Sequence, residues 1–171
     1  MNENFRTMKN ILLSISIILL ATSLSFAQKP QIPAVQIKTV DGKPFNTSEI
    51  SNDGPIIIDF WATWCKPCVK ELSAISDEYE DLVEETGVKI YAVSIDNSRT
   101  SARVAPFVNT NEWEYEVLLD PNSDFKRAMN VVNVPHVFIY NKKGELVEQH
   151  TSYSPGDEEH LYELIRKLAK E

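Results

Sequence analysis

The apolar run Ile56-Ile57-Ile58-Asp59-Phe60-Trp61 stands directly before Trp64-Cys65-Lys66-Pro67-Cys68, and an amphipathic stretch follows. A strand covered on both faces reads as such a run, interrupted here only at Asp59. Beyond it Val69, Leu72, Ile75, Tyr79, Leu82 and Val83 recur at helical spacing and Gly87 closes the segment, which predicts a helix from about Lys66 to Thr86. The two cysteines therefore sit where a strand gives way to a helix. Unpaired N–H groups and the helix dipole at such a start stabilise a thiolate, so Cys65 is expected to ionise readily. Cys68, one turn further in, can then close a disulfide.

These are the only cysteines in the chain. A structural zinc site needs four ligands, and His136, His150 and His160 are scattered without the usual paired spacing, so no metal is expected. A purely structural bridge is the bland alternative, but closing so small a loop removes little unfolded-state entropy. No cofactor is expected either.

Residues 1–27 read as a signal peptide: Arg6 and Lys9 precede an apolar run from Ile11 to Phe26, and small residues lead to a cut after Ala27. The run is shorter than the roughly 20 apolar residues that comfortably span a bilayer, with an uncleaved anchor as the alternative. Residues 28–171 suit one domain with a sizeable core. With 17 basic against 25 acidic residues, nucleic acid is not an expected partner, and membrane contact is expected only through the N-terminal segment.

Along that domain, Val35 to Val40 alternates, Asp41-Gly42 marks a turn and Lys43 to Ile50 continues extended, which predicts an N-terminal hairpin. Val88 to Ile95 reads as a second buried strand, followed by a helix across Ser101 to Asn111 and a strand near Glu116 to Leu119. Asp120-Pro121-Asn122 is a turn that starts a short helix, Ser123 to Met129. Val137 to Tyr140 and Leu146 to Gln149 form a second hairpin, and Leu161, Leu164, Ile165 and Leu168 stripe a final helix. Strands alternating with helices and ending in a hairpin predict an α/β sheet of mixed direction.

Asp59-Phe60-Trp61-Ala62-Thr63-Trp64-Cys65-Lys66-Pro67-Cys68 resembles the active-site segment of the thioredoxin superfamily, and Asn133-Val134-Pro135-His136-Val137-Phe138 resembles its cis-proline segment. The two motifs lie in the proper order about 70 residues apart, each at its expected place on the predicted sheet. Within the superfamily the chain resembles the exported TlpA/ResA-like branch. That resemblance implies a thioredoxin-like fold: a central mixed β-sheet flanked by helices, an N-terminal β-hairpin, and a helix-strand-helix insertion across Ser98 to Met129.

The resemblance also implies roles. Cys65 attacks a client disulfide and Cys68 resolves the mixed disulfide. Pro67 fits the first helical turn, and Lys66 either favours the Cys65 thiolate or is a solvated surface lysine. Asp59 matches the buried acid of thioredoxin and Glu71 the glutamate of ResA-like proteins. Both are candidate bases for Cys68, against readings as a hydrogen-bonded strand acid and a solvated helix residue. Pro135 is the expected cis residue, exposing the Val134 backbone for strand-like pairing with a client, and Trp64 belongs to the flat apolar surface around Cys65. His136 departs from the threonine common after that proline and reads as a core or surface histidine.

The implied activity is an extracytoplasmic thiol-disulfide oxidoreductase that reduces protein disulfides, since proline as the second residue between the cysteines resembles reducing members. Implied partners are client proteins with disulfides or thiols, apocytochrome c among them, and a membrane thiol-electron transporter. Alternatives in the same superfamily are a peroxide-reducing enzyme, which would place a lone cysteine in another context, and a copper carrier, which would use both cysteines with His136. An inert module with a buried disulfide is the remaining rival.

Overall fold

The computed structural model describes residues 32–171, so the expected signal segment, residues 1–27, lies outside the described residues. Within them, strands β1 (Gln36–Thr39), β2 (Pro44–Asn46), β3 (Ile56–Trp61), β4 (Lys89–Ser94), β5 (Glu116–Leu119), β6 (His136–Tyr140) and β7 (Leu146–Thr151) form one sheet. Its order is β2-β1-β5-β4-β3-β6-β7. The β3–β4 and β4–β5 pairs are parallel and all others antiparallel, the mixed sheet that the alternation of elements predicts. Helices α1 (Lys66–Ser76), α2 (Tyr79–Thr86), α3 (Val104–Thr110), α4 (Asp124–Ala128) and α5 (Asp157–Leu168) complete the fold. No helix among the described residues is long and apolar enough to cross a membrane.

Burial on both faces explains the composition of β3, whose six residues are all buried. Ile56, Ile58 and Phe60 face a core that includes Phe125 of α4 and Phe138 and Tyr140 of β6. Ile57 and Trp61 face the opposite core, built with Leu72 and Ile75 of α1, Leu82 of α2, and Leu161 and Ile165 of α5. Side chains alternate along a strand, so Asp59 points into this second, apolar layer, beneath α1.

The expected long helix is in fact two. α1 stops at Ser76, where the N–H groups of Asp77 and Glu78 close back on Ser73 and Ile75, and α2 begins at Tyr79. Short polar side chains across Ser76-Asp77 favour such an end, whereas the apolar spacing Ile75, Tyr79, Leu82 passes through the break unaltered and so conceals it. The redirected helix leaves Val83 on the surface, not in the core. Gly87 closes α2 in the left-handed region at φ 64°, the role its position predicts.

Candidate active site

The stretch from Trp61 to Cys65 is held by backbone and carboxylate contacts from the end of β4. The Ile95 N–H donates to the Trp61 carbonyl at 2.8 Å. Buried Asp96 accepts from the Thr63 N–H at 2.8 Å, from the Thr63 hydroxyl at 2.7 Å and from the Ser94 hydroxyl at 3.0 Å. Cys65 is thereby set as the N-cap of α1, and its sulfur accepts from the Cys68 N–H at 3.4 Å. This is the helix-start position at which backbone N–H groups favour negative charge on sulfur. The other end of α1 is pinned by Tyr115 and Tyr162, whose hydroxyls donate to the carbonyls of Leu72 (2.6 Å) and Ala74 (3.0 Å).

Cys65 and Cys68 are joined in a disulfide, with their Cα atoms 5.3 Å apart. Cys65 is 6% exposed and Cys68 fully buried, so of the two only the first has any contact with solvent. Lys66 and Pro67 are exposed on the rim, Pro67 within the first helical turn as expected.

Both candidate bases are buried on the α1 side of the sheet. Asp59 is fully buried, and neither carboxyl oxygen has a hydrogen-bond partner among the described residues. Burial, with the charge of nearby Glu71 adding to it, holds its carboxyl well above the usual carboxylate range. Glu71 is 3% exposed, which overturns its reading as a solvated helix residue. Burial raises it too, but a hydrogen bond from His150 on β7, Nε2 to Oε1 at 3.0 Å, opposes that rise.

His150 is the residue that sequence reasoning missed. The second strand of the terminal hairpin is expected to end at Gln149 and instead continues to Thr151, which carries His150 into the sheet. Its register opposite Val137 turns it toward α1. His136 takes the opposite face: its ring stacks on Phe138 with centroids 4.4 Å apart, and Nε2 lies 3.4 Å from Gln149 Oε1.

The Val134–Pro135 bond is cis, as the second motif implies. Because Phe60 pairs with His136, this bond lies beside the segment running from Trp61 to the disulfide. Val134 is half-buried between the two cores. Trp64 is 61% exposed and Val132, two residues before Val134, 77% exposed, so an apolar side chain stands in solvent on each of the two segments. Val132 carries no motif signature and was legible only as a neighbour of Pro135.

The sequence matches the AhpC/TSA family over residues 29–149. It is 31% identical over 139 residues to sporulation thiol-disulfide oxidoreductase A of Bacillus subtilis, covering 80% of this chain and 81% of that protein. A thiol-disulfide oxidoreductase ResA of Bacillus thuringiensis is 25% identical over 138 residues, covering 81% of this chain and 76% of the other. The solution structure of a thioredoxin-like protein from Porphyromonas gingivalis superposes with a TM-score of 0.73 at 48% identity, covering 81% of this chain and 92% of that one.

Proposed function

From a chain that belongs to the AhpC/TSA family, with a thioredoxin-like fold and the activity of a thiol-disulfide oxidoreductase, we propose a protein-disulfide reductase working outside the cytoplasm. The observation that carries this reading is the Cys65–Cys68 bridge at the start of α1, with the first cysteine slightly exposed and the second fully buried. A lone peroxide-reducing cysteine would not need the second sulfur within bonding distance.

In the reduced enzyme the Cys65 thiolate attacks one sulfur of a client disulfide, and the other client sulfur leaves as a thiolate and takes up a proton. Cys68 then gives its proton to one of the two buried carboxylates and attacks Cys65. The Cys65–Cys68 bond forms, the bond to the client breaks, and two electrons have passed from enzyme to client. Asp59 and Glu71 act as the bases of this second step, one helical turn or one layer from Cys68. Trp64 and Val132 provide apolar contact for the client chain, and the Val134 backbone beside cis-Pro135 pairs with it as an added strand. Lys66 and Pro67 line the same rim.

The apolar segment ahead of residue 28 supports export, with or without retention as an anchor. Export in turn requires a source of electrons, for which a membrane thiol-electron transporter is the chemical class that fits. Client proteins are those whose cysteines must be kept reduced after export, cytochrome c precursors or envelope thiol proteins in general.

Reduction of insulin by excess dithiothreitol tests this reading. The wild-type protein is expected to accelerate precipitation of the released chains, and Cys65→Ser to leave the rate at background. Equilibration with glutathione is expected to give a potential more reducing than about −200 mV. A value near those of strongly oxidising dithiols would reverse the assigned direction.

A further inference from the structure

One row of residues crosses the sheet on the face that α1 covers. Asp59 on β3 stands opposite Val137 on β6, which stands opposite His150 on β7. Residues directly opposite share a face, so Asp59 and His150 both point toward α1, their backbones about 10 Å apart at two strand spacings. Glu71 comes down from α1 into this gap. One carboxyl oxygen, Oε1, meets His150 Nε2 at 3.0 Å; the other, Oε2, is buried without a hydrogen-bond partner among the described residues.

The contact also marks a boundary with water. The Glu71 side chain is 4% exposed and that of His150 is 29% exposed. On its far side His150 lines a cavity of about 270 Å³ bounded by Glu148, Asp157, His160 and Leu161. The charged groups around the pair are mostly acids. Asp157 and Glu158 from α5 act on Glu71, whose own charge acts on Asp59 of β3, while Glu148 on its own strand and Asp157 from α5 act on His150, which in turn acts on His136 of β6. His160, the remaining basic group at the cavity, is engaged by Glu148 at 3.0 Å. The hydrogen bond to Glu71 raises His150, so each partner favours the charged form of the other.

We propose that His150 is a positioning residue for the resolving step, holding the Glu71 carboxyl in place one helical turn from Cys68 and exchanging protons with solvent through the β7–α5 cavity. The proposal rests on the dithiol-exchange reading above. When Cys68 ionises, its proton goes to the unpartnered Oε2 of Glu71. The ion pair with His150 is thereby dissolved, and the imidazolium gives its own proton to water in the cavity. One proton enters the pair, one leaves it, and the Cys68 thiolate is free to attack Cys65. Without the imidazolium the Glu71 carboxyl would hold its proton to higher pH, and the base would be absent where it is needed.

A single-turnover reaction of the reduced full chain with oxidised glutathione, quenched in acid and resolved by mass, separates formation of the Cys65–glutathione mixed disulfide from its resolution by Cys68. In His150→Gln the pH midpoint of resolution is expected to rise by about one unit, a tenfold loss of rate on the acid side, with formation of the mixed disulfide unaltered. In a Glu71→Gln background the same substitution is expected to change nothing further. An unshifted midpoint in His150→Gln, or a shift that persists without Glu71, overturns the proposal while leaving the oxidoreductase intact. Failure of the wild-type chain to form or resolve the mixed disulfide overturns both. In the unaltered protein, carbon and nitrogen NMR titrations of Glu71 and His150 are expected to show linked transitions, and independent ones would contradict the pairing.

Discussion

Replacing Cys68 with serine is expected to turn the enzyme into a trap. Cys65, 6% exposed at the helix start, still attacks client disulfides, but the buried sulfur that would displace the client is gone. Mixed disulfides therefore accumulate at Cys65 when the variant is made in its own host, and dithiothreitol releases the captured proteins. Catalytic turnover falls to background while the initial attack keeps its rate. The substitution nearly conserves volume at a fully buried site, so cooperative unfolding of the variant is the control for an intact fold. Gels that show no thiol-sensitive adducts from a folded Cys68→Ser protein would contradict the assigned order of the two sulfurs.

Asp59→Asn is expected to change stability and kinetics together, each with its own pH signature. Burial, then the charge of Glu71, raises the folded-state value of Asp59, so the unfolded chain loses this proton at lower pH than the native one. The native protein is therefore least penalised below the unfolded value near 3.9, and loses stability as pH rises from there to the raised native value. The asparagine does not titrate. The variant's stability relative to wild type is expected to climb by about 1.4 kcal/mol per pH unit across that window, as measured by denaturant unfolding from pH 4 to 8. Resolution by Cys68 is expected to slow near neutrality, with attack by Cys65 unaffected. A stability difference that stays flat with pH would show that Asp59 does not titrate as a buried acid, and equal slowing of both steps would remove it from the proton path.

The features legible in advance are those that local spacing encodes. β3 announced itself by being apolar on both faces, and the one charge within it, Asp59, is the fully buried acid. The cysteine pair lies at a strand-to-helix junction that the change of period reveals, and the cis Val134–Pro135 bond lies in the motif that implied it. What stayed hidden depends on contacts distant in the chain. Glu71 and His150 are 79 positions apart, and nothing on the helix alone distinguishes Glu71 from a solvated glutamate. His150 stands past the point where the apolar signal of β7 fades, because an edge strand with exposed alternate positions carries little hydrophobic pattern. The break between α1 and α2 was masked for the converse reason: the apolar stripe runs across it while the backbone turns.

Dithiol exchange of this kind requires unequal sulfurs, and alkylation of the reduced protein measures that inequality directly. Iodoacetamide labelling followed by mass analysis from pH 5 to 9 is expected to modify Cys65 first, with a midpoint clearly below the ordinary thiol value of about 8.5, while Cys68 lags throughout. Labelling of both residues at one rate, with a midpoint at the ordinary value, would contradict it.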